Sequence, residues 1–530
     1  MAGVRSGTII LIDPDVPHVG VDPDALLHDL RRLGVGRAML APGLSRHPEL
    51  ITGAVKACGA RGALVVSAQL GHPPIPELRM WGQAGGLAPL GVKVVALDIL
   101  SAGRSPVERR TYAVRMVRSA VAALDAPRTA RAVRRPIGAA LSRRALLNGR
   151  ATTWVPVVEV KASACLGPLR CSRCVHACPQ DAIRFAQDAG VSPMVDVSGC
   201  EACSACLEVC PTGALSLDGH DPGTLARRLR ALLKADDGSG APALVIACES
   251  AVAPLHRLGE KGGLPGWLVL EVACLGGVGS AWQLAALAAG ARTVQLLPCQ
   301  LCMDRGSATK DLDFTRNLLE ALGDRGASQR VGFLPPGGGS LKRAIRAASG
   351  LKALSDGTGA EGMPHLSATE TPARVAAWAT GELQRFLTAP EQIGQPARRL
   401  VLGERSPLGA PHVAKGCTGC GVCARNCPNQ ALSVVASPGF AELVLDPGAC
   451  SGCGACIETC PEDVVDVVRG IDLDLLARGR ASIARAEAVA CVDCGEPIPE
   501  LPATAHLPLM PAGLVGRCPR CRQAALVASV

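Results

Sequence analysis

The sequence predicts a multidomain protein that combines α/β and α+β folds, with two parallel α/β domains, two small cysteine-rich modules and a small C-terminal module. The chain has 530 residues, which is too long for a single core. In two segments, apolar strand-like runs alternate with helical patterns, as they do in parallel α/β sheets. Most of the 25 cysteines lie outside these two segments, in closely spaced runs.

Three cysteine runs share one spacing, Cys-x2-Cys-x2-Cys-x3-Cys-Pro. This spacing is typical of [4Fe–4S] ligation, because a short loop wraps three corners of a cubane while the fourth thiolate reaches a neighbouring cluster. The three runs comprise Cys200, Cys203, Cys206 and Cys210; Cys417, Cys420, Cys423 and Cys427; and Cys450, Cys453, Cys456 and Cys460.

The fourth run departs from this spacing. It contains Cys171, Cys174 and Cys178, but Pro168 stands where the first cysteine is expected and Cys165 lies three residues earlier. A three-residue insertion with Cys165 still a ligand is the simplest interpretation. The alternative is a three-thiolate or labile cluster.

The runs form two pairs, which predicts two dicluster ferredoxin-like modules in which ligands cross over. In the first module, the expected sets are Cys165, Cys171, Cys174 and Cys210, and Cys200, Cys203, Cys206 and Cys178. In the second module, they are Cys417, Cys420, Cys423 and Cys460, and Cys450, Cys453, Cys456 and Cys427.

Between the modules, strands are predicted at residues 243–248, 267–274, 293–299 and 330–334, with a helix at 280–289. Three of these strands end in a cysteine. Because the carboxyl ends of parallel strands form the ligand crevice of an open sheet, we expect one Fe–S centre there. Its ligands would be Cys248, Cys274, Cys299 and Cys302. The alternative is a set of buried structural cysteines.

The last cysteines form two Cys-x2-Cys knuckles, which predict a zinc-ribbon-like module with a tetrahedral S4 site. Its ligands would be Cys491, Cys494, Cys518 and Cys521. A single rubredoxin-like iron is the alternative, because S4 geometry alone does not separate zinc from iron. Cys58 remains and is expected to be a core residue.

The N-terminal segment is predicted to be a clusterless relative of the middle domain. Strands are expected at residues 8–12, 37–41, 63–66 and 92–97, and residues 57–61 resemble residues 288–292. At the same offset, Gly43 falls opposite Cys274, while Ala68 and Gly71 fall opposite Cys299 and Cys302.

The domain boundaries follow from these patterns. An Arg-rich segment is interpreted as a helical linker that is either solvated or a docking surface for an acidic partner, and a Pro/Gly-rich linker precedes the second module. The expected order is a clusterless α/β domain at 1–101, an Arg-rich helical linker at 102–155, the first module at 156–220, the middle α/β domain at 221–388, a linker at 389–412, the second module at 413–470 and the zinc-ribbon-like module at 471–530.

Charge and hydropathy exclude several functions. The formal charge of +9 falls to about −3 if six metal–thiolate sites each carry about −2. Without a recognition module or stacking aromatics, we expect no nucleic-acid partner. From the sequence we expect no leader and no transmembrane segment. Grouped cysteines in such a chain favour metal ligands over disulfides, which predicts a cytoplasmic, oxygen-sensitive protein.

Residues 290–302, 313–322 and 329–334 resemble the delta subunit of methyl-viologen-reducing hydrogenase. That resemblance implies a [2Fe–2S] cluster and electron transfer to heterodisulfide reductase, although the Cys299-x2-Cys302 gap is shorter than usual for that family. Residues 41–71, 110–124 and the first module are similar to the flavin-binding subunit of heterodisulfide reductase. The Gly-x-Gly-x-x-Gly turn with which that family binds flavin is missing, so no flavin is expected.

These patterns predict a non-catalytic relay subunit of an oxidoreductase complex. Its expected partners are redox subunits: flavin-containing, heterodisulfide-reductase-like, hydrogenase or formate dehydrogenase proteins. The expected metal content is about 18 Fe, from four [4Fe–4S] and one [2Fe–2S], plus one zinc. Three alternatives remain: a catalytic reductase that uses the middle four cysteines with His256 and Glu249 nearby, an Fe–S redox sensor or scaffold, and a role in enzyme assembly.

Overall fold

The computed structural model describes most of the chain, and the following account covers only those residues. They are 7–14, 20–67, 75–100, 105–125, 132–136, 152–185, 192–234, 241–262, 264–305, 307–335, 338–354, 359–367, 371–387, 400–499, 514 and 516–528. The chain divides into two compact units, one of residues 1–370 with 382–387 and the other of residues 371–381 with 388–530.

The first unit begins with a four-stranded parallel sheet in the order β2-β1-β3-β4. Its strands are β1 (Thr8–Ile12), β2 (Arg37–Leu40), β3 (Gly62–Ser67) and β4 (Val92–Ala96). The accompanying helices are α1 (Pro23–Arg32), α2 (Leu50–Cys58) and α3 (Ile75–Ala84). Strands β1 and β3 are buried along their whole length, as the continuous apolar runs of a sheet covered on both faces require.

The Arg-rich segment begins with a helix, as expected, but this helix is largely buried, so the interpretation as a solvated helix is wrong. Helix α4 (Pro106–Leu124) packs on the first sheet and buries Tyr112, Val117 and even Arg115. Its alanines and valines form the apolar surface that the many arginines obscured. Next, β5 (Ala132–Pro136) and β6 (Thr152–Pro156) form an antiparallel hairpin. The arginines at 104, 128, 131, 143, 144 and 150 lie outside the described residues.

The first cysteine-rich module is built from short elements around a small core. Strand β7 (Glu159–Val160) pairs with β10 (Leu215–Ser216), and β8 (Ile183–Arg184) pairs with β9 (Met194–Val195), both antiparallel. The helices are α5 (Arg173–Ala177) and α6 (Ala205–Val209). Cys174, Cys200 and Cys206 belong to its buried core, so the thiols themselves form part of the packing.

The middle domain is a second four-stranded parallel sheet, in the order β12-β11-β13-β14. Its strands are β11 (Ala243–Cys248), β12 (Trp267–Val272), β13 (Thr293–Leu297) and β14 (Val331–Phe333). The helices before and within it are α7 (Pro222–Leu233), α8 (Ala253–Glu260), α9 (Ser280–Ala288), α10 (Gln300–Arg305), α11 (Ser307–Ala321) and α12 (Ala327–Arg330). After it come α13 (Gly338–Ala348), α14 (Gly359–Gly362) and α15 (Ala373–Leu387).

The two parallel sheets have the same topology and the same register. Arg37 and Ala63 lie opposite Ile9, while Leu268 and Val294 lie opposite Leu244. Arg37 and its counterpart Leu268 are 231 residues apart, and so are Ala63 and its counterpart Val294. The same offset of 231 residues relates the matching sequence segments. Ala68 and Gly71 lie outside the described residues.

One side chain of the N-terminal sheet takes the place of a thiol of the middle sheet. Asp13 follows Ile9 by four residues, as Cys248 follows Leu244. The Asp13 carboxylate accepts a hydrogen bond from the Ser45 amide at 3.1 Å, and Cys248 Sγ accepts one from the Leu275 amide at 3.4 Å. In each sheet, the residue at this position thus accepts an amide hydrogen bond from the loop that follows the second strand.

The second unit contains two antiparallel sheets, in the orders β15-β19-β16 and β17-β18-β20-β21. Its strands are β15 (Leu400–Leu402), β16 (Gly409–Val413), β17 (Leu432–Ser437), β18 (Phe440–Leu445), β19 (Val465–Asp472), β20 (Ala481–Ala490) and β21 (Pro497–Pro499). Its short helices are α16 (Val422–Arg425), α17 (Ala455–Glu458) and α18 (Leu473–Arg478), and α19 (Pro519–Ala528) lies near the C-terminus. Of the predicted linker at 389–412, residues 389–399 lie outside the described residues, while residues 400–412 contain β15 and most of β16.

Candidate metal centres

In the first module, four thiols from distant positions line one enclosed cavity. They are Cys165, Cys171, Cys174 and Cys210, so the displaced Cys165 lies with the set to which the insertion interpretation assigned it. The chain reaches this place through a loop in which Gly167 has a left-handed φ of 80°. The Cys171 amide donates a hydrogen bond to the Gly167 carbonyl at 2.9 Å, which closes the inserted loop.

The other three sets also come together as the crossed pairing predicts. Cys417, Cys420, Cys423 and Cys460 line a single cavity. Cys206 lies close enough to Cys203, Cys200 and Cys178 for their charges to act on it, and Cys174 of the neighbouring set acts on it as well. Cys456 has the same relation to Cys450, Cys453 and Cys427.

In three of the four cysteine runs, the backbone is left-handed on both sides of the second thiol. In the second module, glycines occupy these positions, with positive φ at Gly419, Gly421, Gly452 and Gly454. In the first module, Ala202 (φ 54°) and Ser204 (φ 61°) adopt the same conformation despite their side chains. Left-handed backbone costs a non-glycine residue about 1–2 kcal/mol, so packing and ligation must hold this loop in place.

In three of the four runs, the last cysteine is followed by a turn that supplies an amide donor to its thiol. The amides of Ala182, Ala214 and Ala431 donate hydrogen bonds to Cys178 Sγ, Cys210 Sγ and Cys427 Sγ at 3.3, 3.2 and 3.2 Å. The residue just before each donor is left-handed, as is Asp463 in the remaining run. Amide donors of this kind stabilise the anionic thiolate and raise the potential of a bound cluster.

Burial raises the pKa of Cys174, Cys423 and Cys450 and keeps these three thiols protonated when no metal is bound. Desolvation and neighbouring thiolates raise the pKa of Cys174 to about 11 and that of Cys423 to about 12. Desolvation also raises the pKa of Cys450 to about 12, although amide hydrogen bonds partly oppose it. Metal binding must therefore displace protons, because thiolate is the liganding form.

In the middle domain, the four expected thiols meet at the carboxyl edge of the sheet. Cys302 Sγ lies 3.7 Å from Cys248 Sγ, 3.2 Å from Cys274 Sγ and 3.6 Å from Cys299 Sγ. Cys248 lies in β11, but Cys274 and Cys299 each lie two residues beyond the ends of β12 and β13, so the predicted strand ends were too long. Hydrogen bonds from Cys248 and Cys274 lower the pKa of Cys302 to about 7.

The loop after Cys274 packs directly on the first module. A side chain on Gly276 would overlap the carbonyl oxygen of Cys203, and one on Gly277 would press on Ser204 and His220. Glycine at both positions therefore lets the loop of the middle thiols touch the loop of the Cys203 thiol set. The sequence contained no signal for this contact beyond the glycines themselves.

A cavity of about 900 Å³ opens beside this contact and is lined by Cys203, Cys274 and Cys299. Its charged lining includes Arg79, together with a Lys93–Glu249 ion pair whose nitrogen and oxygen are 3.6 Å apart. Both the first module and the middle thiols are thus accessible to a small molecule in the cavity. Its volume lies within the range of known ligand pockets.

The remaining residues singled out from the sequence are His256, Glu249 and Cys58. His256 is buried between Asp98 (2.5 Å) and Glu271 (3.4 Å). Burial lowers its pKa, but hydrogen bonds and charges from these two carboxylates outweigh burial and raise the pKa to about 9. His256 is not among the residues that line the 900 Å³ cavity, whereas Glu249 is. Cys58 packs, partly buried, against the core of the first sheet.

The C-terminal thiols form a second compact group. Cys491, Cys494, Cys518 and Cys521 have their sulfur atoms within 4.8 Å of one another. The Cys518 amide donates a hydrogen bond to Cys491 Sγ at 3.2 Å, and this bond lowers the pKa of Cys491 to about 6. This donor set suits one tetrahedral metal ion.

The crossed thiol sets, their amide donors and their left-handed turns define a ferredoxin-type iron–sulfur protein with several [4Fe–4S] centres. Residues 164–214 and 416–464 match the family described as the 4Fe-4S dicluster domain. The ferredoxin of Methanothermococcus thermolithotrophicus is 35% identical over 60 residues, which are 11% of this chain and 95% of that ferredoxin. The chain therefore belongs to the ferredoxin family of 4Fe–4S dicluster proteins.

A second relative is matched over a smaller part of its length. The ferredoxin-type protein NapF of Haemophilus influenzae is 31% identical over 68 residues, which are 12% of this chain and 39% of that protein.

Among the residues that the structure describes, no helix is both long and apolar enough to span a bilayer.

Proposed function

We propose that the chain is a relay subunit that passes electrons through its thiolate-bound clusters between redox partners. The ferredoxin family supports electron transfer as the role. The contact of Gly276 with Cys203 carries the finer proposal, since it brings the middle thiols next to the first module. Close spacing is what the protein contributes to a relay, because the redox chemistry belongs to the cofactors.

The proposed clusters are four [4Fe–4S] centres on the crossed thiol sets described above, with Cys165 as a ligand. The C-terminal thiols are proposed to hold a structural zinc ion in a zinc-ribbon-like module. For the middle thiols, the resemblance to the hydrogenase delta subunit implies a [2Fe–2S] centre, and no flavin is proposed. The proposed partners are flavin-containing, heterodisulfide-reductase-like, hydrogenase or formate dehydrogenase subunits in the cytoplasm, where free cysteines such as these persist.

Electron transfer can be tested with the oxygen-free full chain. The chain is reduced with dithionite, freed from it by gel filtration and mixed with oxidised cytochrome c, whose haem absorption counts the transferred electrons. A connected relay delivers about five electrons, one from each of the four [4Fe–4S] centres and one from the centre on the middle thiols. Cys206→Ser should lower this number, whereas Cys58→Ser, outside every proposed set, should leave it unchanged. Equal electron counts in both variants, or a colourless chain, would refute the relay.

The partners can be tested by anaerobic purification of the full chain from its native host. Co-purification of a flavoprotein or another iron–sulfur subunit in fixed stoichiometry supports a relay subunit. A chain that purifies alone contradicts the proposed complex.

A second candidate function is catalysis by the middle thiols, and the 900 Å³ cavity favours it. A relay needs no such cavity, whereas a reductase needs room for substrate beside its metal centre. Sustained turnover of a small acceptor by the isolated chain would support a reductase, and its absence would favour the relay.

A further inference from the structure

The thiol groups of this chain fall into two classes of spacing. Among the described residues, the middle thiols and the C-terminal thiols each have all four sulfur atoms within 4.8 Å of one another. The four crossed sets of the ferredoxin modules are not among the groups with this compact spacing. The middle thiols therefore share the geometry of a C-terminal S4 site and not that of the cubane sites.

The spacing of sulfur ligands reflects the centre that they hold. One tetrahedral ion with metal–sulfur bonds of about 2.3 Å keeps its four sulfurs about 3.8 Å apart. A two-iron centre holds one pair of thiolates on each iron, and sulfurs on different irons are separated by more than roughly 5 Å. The separations of 3.7, 3.2 and 3.6 Å from Cys302 Sγ fit a single ion. No two-plus-two division is compatible with six separations of at most 4.8 Å.

We propose that Cys248, Cys274, Cys299 and Cys302 bind a single iron ion, in place of the [2Fe–2S] centre that the hydrogenase resemblance implies. S4 coordination suits iron or zinc equally well, so the surroundings must decide between them. The loop of Cys274 touches the loop of Cys203, a contact that serves a redox-active ion and has no use for zinc. The choice of iron thus rests on the proposed relay, whereas the choice of one ion rests on the sulfur spacing.

The redox step of such a site is simple. One electron from a reduced cluster of the first module converts ferric to ferrous iron, and no bond forms or breaks. All four thiolates stay bound, so the site becomes more negative by one charge and no proton is required. Cys248, Cys274 and Cys302 are buried, whereas the cavity beside the site is lined by Cys274 and Cys299.

The test uses the full chain, purified without oxygen and then oxidised by ferricyanide. A single ferric ion in an S4 site gives a high-spin EPR signal at low field, whereas an oxidised [2Fe–2S] centre is EPR-silent. Cys302→Ser should abolish this signal, because Cys302 contacts the other three thiols, and the matched variant Cys58→Ser should retain it. The iron content should be about 17 per chain, from four cubanes and one ion.

Mössbauer spectra of the unmutated, dithionite-reduced chain provide a readout that is independent of any variant. A high-spin ferrous doublet that accounts for one iron supports the proposal. A [2Fe–2S] signal in the unmutated chain that is missing from Cys302→Ser would overturn the proposal. It would also be overturned if Cys302→Ser lost one zinc ion and no iron. Electron delivery to cytochrome c tests the relay separately, so either idea can fail while the other stands.

Discussion

Gly276 lies so close to Cys203 that a Cβ at residue 276 would overlap the Cys203 carbonyl oxygen. These residues belong to different folding elements: Cys203 to a ferredoxin-type loop and Gly276 to the loop that follows β12. The contact joins a [4Fe–4S] module to a parallel α/β sheet without an intervening side chain. Such a contact brings two groups of thiols close together, and it leaves no room for a side chain at residue 276.

Gly276→Ala is expected to destabilise the first unit by about 1–3 kcal/mol, because the new methyl group must push one of two backbones aside. The matched control is Gly53→Ala in α2, where a Cβ meets nothing within 4 Å and helix propensity improves. Thermal unfolding and the rate of cytochrome c reduction should both be measured without oxygen. Equal melting temperatures for the two variants would contradict the tight contact.

His256 should make stability depend on pH. Its pKa is raised from 6.5 to about 9 in the folded chain. Its contribution is therefore complete below pH about 6.5 and is lost as pH rises to about 9, a loss of about 3 kcal/mol at 1.4 kcal/mol per pKa unit. His256→Gln should be less stable than the unmutated chain at pH 6, with a difference that shrinks by pH 9. A difference independent of pH would show that His256 is neutral in the folded chain.

At the left-handed position two residues after each Cys-Pro pair, glycine should slow cluster loss and a residue with a side chain should speed it. Gly213 (φ 63°) and Gln430 (φ 53°) occupy this position in different runs. Gly213→Ala should speed cluster loss to an iron chelator, because alanine costs about 1–2 kcal/mol there, and Gln430→Gly should slow it. The visible absorption of the clusters reports both rates. Changes in the same direction would show that the turn conformation does not control cluster retention.

The C-terminal thiols should bind metal independently of the iron–sulfur clusters. Cys518→Ser should remove one zinc per chain and leave the iron content unchanged, because Cys518 is a buried member of the compact thiol group. Elemental analysis of the anaerobic full chain checks both metals, with Cys58→Ser as the control. Loss of one iron in place of zinc would identify a rubredoxin-like site instead.

The ferredoxin modules were predictable because their ligation is local. A Cys-x2-Cys-x2-Cys loop carries its own geometry, and only the crossed fourth thiol needs tertiary structure. Even the irregular run was interpretable, since the three-residue insertion leaves Cys165 within reach of Cys171 and Cys210. The grouping of the middle thiols was predictable only after a parallel sheet had been predicted, because parallel strands bring their carboxyl ends to the same edge.

Other features misled sequence reasoning for a physical reason. Helix α4 carries so many arginines that its apolar side was overlooked, although Tyr112 and Val117 are buried. Pairing of Asp98 with His256 joins residues 158 positions apart, and no local pattern announces such a pair. The ends of strands β12 and β13 could not be predicted from the sequence either, because apolar loop residues after a strand resemble the strand itself.

By itself, the sequence determined the class of the protein, the two dicluster modules and the identity of the thiols that group together, since cysteine spacing encodes loops that wrap metal clusters. Tertiary structure alone decided how closely the middle sulfurs approach one another and that Gly276 meets Cys203. These are distances between segments far apart in the chain, and they depend on how whole sheets and loops pack. Spacing along a sequence contains no such distances.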